Sequence, residues 1–206
     1  MILKDTEGLG RFTTTIATLQ AKVAKVLTTK KFECLQCGIC CRNLRIKMGE
    51  WTLGLFLLPD EIKLFPEDKI VPMWAIGLKG RSRPRPATIG VFQLNSKHCV
   101  HITEENTCRI YSKRPLICHA HPLSLTIEQG HVISASVDRG CKGAAKVPSN
   151  SRVKLLDYFA DDILKGNAIV SGYLEKMFRE SYGFIWLFDL GSHKWKRVTE
   201  NSYPKL

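Results

Sequence analysis

The sequence lacks the features of membrane-spanning and exported chains. Its longest nearly unbroken apolar stretch, 53–58, is far too short to cross a bilayer, which takes about 20 apolar residues. Met1–Lys4 begins apolar, but Asp5 and Glu7 follow, and no small-residue cleavage pattern comes after an apolar run of adequate length. Internal repeats and low-complexity linkers are also absent. These absences predict a soluble, cytoplasmic protein.

Acidic residues are scarce. The chain has 19 of them against 31 lysines and arginines, a formal net charge of +12. A basic surface favours anionic partners. The basic residues are scattered, however, and no aromatic-basic motif of the usual RNA-binding kind is present. Nucleic acid is therefore a candidate partner that the sequence does not favour.

Cysteine, by contrast, is abundant, with eight residues in the chain. A chain of 206 residues, 44% of them hydrophobic, buries a core without disulfides. Four of the cysteines also crowd into residues 34–41, whereas a disulfide framework spreads its half-cystines along the chain. We therefore expect reduced thiols and metal binding.

Hydrophobic periodicity and turn residues predict one α+β domain, with short strands, hairpins and several helices around a cysteine-ligated metal site. We divide it into an N-terminal helix packed on the domain (1–31), a metal-binding core (32–143), and C-terminal helices with a hairpin (144–206). The predicted elements are helices over 12–27, 58–65, 152–164 and 168–181, strands over 44–48 and 88–94, a basic loop over 79–87, and hairpins over 99–111, 123–137 and 184–198.

The most informative segment is Cys34-Leu35-Gln36-Cys37-Gly38-Ile39-Cys40-Cys41. Its first three cysteines have the spacing of a bacterial ferredoxin run, and Gly38 permits a tight turn between them. Cys41 departs from that pattern, because it directly follows Cys40. Since the side chains of neighbours normally diverge, we do not expect these two to ligate one small ion. They face two sites, or one of them is not a ligand.

Four further cysteines follow at 99, 108, 118 and 141, and the segment from Cys108 to Cys118 contains Ile110-Tyr111 and Arg114-Pro115. Together with the early motif, this resembles the CxxCxxCC family, which pairs CxxCGxCC with a later C-x-I-Y-x-x-R-P-x-x-C. Cys141-Lys142-Gly143 is similar to the family's final Cys-Pro-Gly. His119 stands where the family usually has arginine. The resemblance covers 32–143 and implies binding of zinc or iron, without an assigned reaction.

The spacing favours an iron–sulfur cluster over zinc. A four-thiolate zinc site normally takes two separate Cys-x2-Cys pairs, whereas 34/37 and 37/40 overlap here and no later pair has that spacing. We predict a 4Fe–4S cluster in a redox or electron-transfer role, with an unknown redox partner. The alternative is a zinc-stabilised, non-enzymatic module that binds nucleic acid or a protein through its basic surface. Whether the protein is an enzyme stays open, because no convincing general base stands out.

We predict that Cys34, Cys37 and either Cys40 or Cys41 are ligands, and that Cys118 is the distant ligand of the same single site. His119 and His121 have room to ligate but are more often structural. The remaining three cysteines are either ligands or small buried apolar residues; these are Cys99, Cys108 and Cys141.

Arg114 is the candidate cofactor-binding residue outside the cysteines. A cation beside an anionic cluster tunes its potential or holds an anionic substrate next to it. Pairing with a buried acid explains Arg114 equally well. We expect the loops that carry 34–41 and 99–118 to converge on the metal and to depend on it for their fold.

Overall fold

The computed structural model describes residues 32–77, 86–128, 131–147, 156, 158–180 and 184–198. The helix predicted over 12–27 and all but the last two residues of the predicted basic loop lie outside these residues. Strands and helices are mixed along the chain, which confirms the α+β class. Two compact units are distinguished. Among the described residues, unit 1 contains 38–115 and 176–198, and unit 2 contains 32–37 and 116–175.

Unit 1 is built on a five-stranded antiparallel sheet with strand order β3-β5-β4-β8-β9, and β1 and β2 form a separate pair. Its helix and strands are α1 (Ile39–Arg42), β1 (Ile46–Met48), β2 (Trp51–Leu53), β3 (Leu55–Leu57), β4 (Ile70–Gly77), β5 (Pro86–Leu94), β8 (Ile185–Asp189) and β9 (Lys194–Val198), with short 3-10 helices at Ile62–Leu64, Glu67–Lys69 and Tyr111–Lys113.

Local sequence signals account for several of these strands. The strand predicted over 44–48 is confirmed as β1, and that over 88–94 as β5. The closing hairpin β8–β9 is also confirmed. It turns beside Asp189, a buried carboxylate that accepts hydrogen bonds from the N–H groups of Thr52, Gly191 and Ser192 and lies 3.0 Å from the ammonium of Lys196.

Two predicted elements of unit 1 are wrong. In place of an α-helix over 58–65 there is a turn and one 3-10 helix, and the segment ends at Phe65, which is extended because Pro66 follows it. In place of a hairpin over 99–111 there is a single bridge between Ile102 and Cys108. The N–H of Cys99 donates to the carbonyl of Cys41 instead of to a partner strand.

Unit 2 combines a hairpin with helices. Its core contains Phe32, Leu123, Ala144, Phe159 and Ile163, all nearly inaccessible to solvent. The predicted hairpin over 123–137 is confirmed. The elements are α2 (Leu116–Ala120), β6 (Leu123–Glu128), β7 (His131–Val137), a 3-10 helix at Lys142–Lys146, and the greater part of α3 (Asp161–Glu180).

The break predicted between two helices at 165–167 does not occur, because α3 runs through it. Gly166 faces α2 so closely that a Cβ atom there would lie 3.3 Å from the carbonyl oxygen of Leu116. The buried amide of Asn167 binds the N–H of Leu125 and the carbonyl of Ala120. Two residues that are poor helix formers therefore serve tertiary packing. No helix in the described part of the chain is long and apolar enough to cross a membrane.

Candidate metal centre

All eight cysteines lie among the described residues, and none of them forms a disulfide. They divide equally between the two units, and the boundary falls inside the early motif, between Cys37 and Gly38. The unit 1 set consists of Cys40, Cys41, Cys99 and Cys108. The unit 2 set consists of Cys34, Cys37, Cys118 and Cys141.

Cys40 and Cys41 lie on the single turn of α1. That turn begins at Gly38, whose φ of +72° is left-handed and whose missing Cβ would lie 2.7 Å from the Ile102 side chain and 2.9 Å from that of Asn106. The two thiol sulfurs are 4.0 Å apart. The two side chains therefore approach each other, contrary to the expectation that neighbours diverge, and which of them is a ligand stays a prediction.

Hydrogen bonds hold the Cys99 segment beside α1. The Cys99 N–H donates to the carbonyl of Cys41 at 2.7 Å, and the Leu44 N–H donates to the carbonyl of Lys97 at 3.0 Å. The imidazole Nδ1 of His98 lies 2.6 Å from the carbonyl oxygen of Arg42. This segment is thus fixed at three successive points.

Cys108 returns to the same region after the turn over 103–107, through the bridge that pairs it with Ile102. Burial raises the pKa of the Cys99 thiol. Hydrogen bonds from the backbone of His101 and Ile102 partly offset that rise, while negative charge on Cys108 and on Cys40 adds to it. The thiols at 40, 99 and 108 therefore share one electrostatic environment.

In unit 2, the Cys34–Cys37 loop follows the anchored residue Phe32. The N–H of Phe32 donates to the carbonyl of Tyr158 at 2.9 Å, and its ring packs 5.5 Å from that of Phe159. Within the loop, the N–H of Gln36 donates to the sulfur of Cys34 at 3.4 Å. N–H···S bonds of this kind are common around the sulfurs of metal–thiolate sites.

The Cys141 segment lies against the start of that loop. A Cβ atom on Gly143 would stand 2.8 Å from the Phe32 ring and 3.4 Å from the carbonyl oxygen of Glu33. Cys141 itself packs against the unit 2 core, and its N–H donates to the carbonyl of Asp138. Glycine after Cys141 therefore permits the close approach of two cysteine-bearing segments.

Cys118 lies on α2, whose end is tied to the segment before Cys141. The N–H of Asp138 donates to the carbonyl of Pro122 at 2.9 Å, and the Asp138 carboxylate lies 3.9 Å from Nε2 of His121. Burial lowers the pKa of His121, and the nearby Asp138 offsets part of that shift. His121 thus has a carboxylate neighbour within unit 2.

No three His, Cys, Asp or Glu side chains in the described part of the chain stand close enough together to hold a metal ion. The donor chemistry nevertheless fits zinc or iron, because eight thiols without disulfides lie on loops and short helices. The 4.0 Å between the sulfurs of Cys40 and Cys41 is also close to the edge of a metal–thiolate tetrahedron, roughly 3.8 Å for bonds of about 2.3 Å. The single shared site stays a prediction.

Arg114 lies near the Cys108 segment. Its guanidinium carbon is 4.0 Å from the centroid of the Tyr111 ring, and the Tyr111 N–H donates to the carbonyl of Cys108. The Nε of Arg114 is buried and has no hydrogen-bond partner among the described residues. A buried guanidinium nitrogen without a partner is compatible with binding of an anionic group, and that role of Arg114 stays a prediction.

The sequence analysis missed Asn106. Its side-chain oxygen accepts a hydrogen bond from Nε of Arg42 at 2.9 Å, and it packs against Gly38. The backbone at Asn106 is left-handed, with a φ of +67°. Asparagine is enriched in that conformation, so the run Glu104-Glu105-Asn106 carried a signal for a turn but none for its contact with α1.

The family model "CxxCxxCC: Putative zinc- or iron-chelating domain" matches residues 33–142, just over half of the chain. The matched segment contains all eight cysteines and Arg114. It agrees to within one residue at each end with the span of the resemblance drawn from the motifs, 32–143. No curated protein and no solved structure matches the chain significantly.

Proposed function

Because this chain belongs to the CxxCxxCC family of zinc- or iron-chelating domains, we propose that it is an iron–sulfur protein with an electron-transfer role. The proposed centre is a 4Fe–4S cluster on the unit 2 set. The sequence predicts Cys34, Cys37, Cys118 and either Cys40 or Cys41 as the ligands of one site, and the first three of these belong to this unit. Cys141, from the same unit, supplies the fourth thiolate.

The observation that carries this proposal is the arrangement around the Cys34–Cys37 loop. The loop presents two thiols at Cys-x2-Cys spacing, and the Gln36 N–H points at one of the sulfurs. The segments of Cys118 and Cys141 are connected through the bond from Asp138 to Pro122, and the Gly143 segment packs against residues 32–35. One unit therefore contributes four thiols from three connected segments.

The position of the loop suits exchange of electrons with another protein. Cys34 is exposed, and the neighbouring Leu35 is 63% exposed, so an apolar contact point stands beside a ligand. When bound, the cluster supplies reversible one-electron chemistry. The Gln36 N–H, by donating to a ligand sulfur, would raise the reduction potential, because it stabilises the more negative, reduced state.

The test is the metal content of protein purified without oxygen. We expect about four irons and four sulfides per chain, and a broad absorption band near roughly 400 nm that dithionite bleaches. The variant Cys34→Ser should lose most of its iron and sulfide, whereas the neighbouring Leu35→Ala should keep both. A colourless protein without sulfide would contradict the proposal.

A zinc-stabilised module that binds an anionic partner is the second candidate, and the net charge of +12 favours it. This alternative predicts binding to DNA or RNA that weakens steeply between low and physiological salt. Absence of binding at low salt would remove the nucleic-acid version. Zinc without iron, together with such binding, would replace the electron-transfer proposal.

A further inference from the structure

One face of the β8–β9 hairpin carries aromatic and basic side chains that have no role in the proposed electron transfer. We propose that this face binds single-stranded nucleic acid, by stacking on its bases and contacting its phosphates. We call it the hairpin platform, and it consists of Phe184, Trp186, Phe188, Trp195 and Arg197. The platform contains no cysteine and lies wholly within unit 1, so the inference goes beyond the proposed function and does not depend on the metal.

The strand register places these side chains on one side of the sheet. Trp186 lies opposite Arg197 across the hairpin, and antiparallel partners share a face. Phe188 lies opposite Trp195 in the same way. Because side chains alternate along a strand, Leu187 points to the other face, where it is inaccessible to solvent. The aromatic side chains of the platform are instead half-buried, and Arg197 is exposed.

Contacts within unit 1 hold the rings in place. The centroids of Phe188 and Trp195 are 5.5 Å apart with an interplanar angle of 74°. In such a T-shaped pair, the ring that contributes its edge keeps both faces uncovered by the other. The Gly77 N–H donates to the Phe184 carbonyl, and a Cβ atom on Gly77 would stand 3.1 Å from Nε1 of Trp186. Rings that are already positioned lose little freedom when a base stacks on them.

Positive charge accompanies the rings. The guanidinium carbon of Arg197 lies 4.5 Å from the centroid of the Phe184 ring, and Lys194 on the same strand is exposed. The one acidic residue in 184–198 is Asp189, which is buried and accepts hydrogen bonds from backbone N–H groups. This hairpin therefore presents cations beside aromatic rings without an exposed acidic side chain of its own, a combination that suits a phosphate next to a base.

The chain that connects β4 to β5 adds positive charge at one end of the platform. Gly77, the last residue of β4, pairs with Pro86 in β5 and is bonded to Phe184. The sequence between Gly77 and Pro86 has four lysines and arginines and no acid. These residues lie outside the described part of the chain and are not counted in the platform. Both of their attachment points, however, are at its Phe184 end, so their charge favours an anionic ligand there.

A single strand suits this face better than a duplex or an extended peptide. The bases of a duplex stack on one another, so rings on a sheet face do not reach their planes. A peptide strand would instead add to β9, which is an edge of the described sheet, and the lysines at 194 and 196 oppose such pairing. The pattern is not visible as a linear motif, because the stacked and paired side chains come from two strands.

The first experiment measures binding of a labelled oligothymidylate of about 15 nucleotides, the upper range of single-domain sites, by fluorescence anisotropy. The protein is the full chain purified without oxygen. Trp195→Leu keeps an apolar side chain but removes the stacking surface, and should weaken binding roughly 5- to 100-fold, the range for one stacked base. The control is Tyr158→Leu in unit 2, which removes another half-buried ring of a T-shaped pair and should leave binding unchanged. Unchanged binding by Trp195→Leu, or equal losses for both variants, would overturn the inference.

The second experiment tests the charge of the platform through the salt dependence of binding. Arg197→Gln should lower the slope of log affinity against log salt by about 0.7, the value for one phosphate contact on a single strand. Lys63→Gln is the control, because it removes the same charge from an exposed residue that follows β3, at the opposite edge of the described sheet. Its slope should equal that of wild type. Equal slopes for the two variants would show unspecific attraction and contradict the platform.

Further probes decide the class of ligand. We expect wild type to bind oligothymidylate and oligouridylate more tightly than a duplex of the same length. Absence of binding to single strands at low salt would overturn the inference. So would tighter binding to the duplex, or equally tight binding to polyglutamate or to vesicles of anionic phospholipid that is lost in Trp195→Leu.

Variants that fail to fold are replaced by a measurement on the wild type. An oligonucleotide that contains 5-bromouracil is cross-linked to the protein with ultraviolet light, and the modified peptides are identified by mass spectrometry. We expect cross-links within 184–198, and cross-links confined to other segments would contradict the inference. Trp195→Leu should keep the iron and sulfide of wild type, so a failure of nucleic-acid binding and a failure of the electron-transfer proposal are told apart.

Discussion

The two units carry equal numbers of cysteines but position them by different means. In unit 1, backbone hydrogen bonds and the close packing of Gly38 hold α1 beside the segments of Cys99 and Cys108. In unit 2, a buried side-chain amide, Asn167, binds the end of the helix that carries Cys118. The difference predicts that backbone substitutions will disturb one set of thiols and that truncation of a polar side chain will disturb the other.

The largest effect is expected from Asn167→Ala in unit 2. Asn167 is 5% exposed and binds the Leu125 N–H and the carbonyls of Ala120 and Ile163. Its removal leaves buried backbone groups without partners, so the free energy of unfolding should fall by about 3 kcal/mol. Chemical denaturation measures this loss. The control is Ser171→Ala, which removes one bond to the Leu125 carbonyl and should cost about 1 kcal/mol.

Equal losses of unfolding free energy for Asn167→Ala and Ser171→Ala would contradict the special role given to Asn167 in unit 2. The iron content of the two variants gives a second comparison, because Asn167 lies next to α2, the helix that carries Cys118. We expect Asn167→Ala to retain less iron than Ser171→Ala.

The next effect in size is expected from Gly38→Ala in unit 1. The new methyl group would meet Ile102 and Asn106 at a left-handed backbone position, so stability should fall by about 2 kcal/mol. Gly49→Ala is a matched control, because its φ is +61° but nothing lies within 4 Å of the added Cβ. It should cost about 1 kcal/mol, from backbone strain alone. Equal costs would show that packing against α1 contributes nothing to unit 1.

The smallest effect is expected in the dependence of stability on pH, through His121. The pKa of His121 in unit 2 is lowered, first by burial. A depressed histidine pKa contributes stability that is present above the unfolded value, about 6.5, and is lost as pH falls through the folded pKa. His121→Gln should therefore lose less stability than wild type between pH 7.5 and 5.5, measured by urea denaturation. A wild type and variant with identical pH profiles would contradict this prediction.

Unit 1 should respond only at lower pH. Burial by itself would raise the pKa of Asp189, but hydrogen bonds from Ser192, Thr52, Lys196 and Gly191 lower it further than burial raises it. A depressed carboxyl pKa contributes stability above the unfolded value, about 3.9, that is lost as pH falls through the folded pKa. Asp189→Asn should lessen the loss of stability below about pH 4, measured by urea denaturation, and leave the His121 response in place.

Local signals were sufficient for some elements. The β6–β7 and β8–β9 hairpins follow from alternating side chains around Gln129-Gly130 and Gly191-Ser192. Local signals did not predict β4, the central strand of the sheet, because Pro72 interrupts a strand pattern and the pairing is irregular there. They also failed at Gly166-Asn167, where the reason for a continuous helix lies in contacts with α2.

The same distinction applies to the candidate site. The cysteines and the family could be recognised from spacing, because ligand motifs are local. The division of the early motif between Cys37 and Gly38 could not, since it depends on contacts made by residues 99–108 and 116–143. The cysteines could therefore be identified from the sequence, but their division between the two units depends on long-range contacts.

Unit 1 is interrupted in the chain by residues 116–175, which belong to unit 2, and its sheet is completed only when β8 pairs with β4. During synthesis, β4 emerges from the ribosome well before β8. At roughly 5–20 residues per second, this interval lasts on the order of ten seconds. Throughout it, β4 has an unpaired edge that is open to strands of other chains.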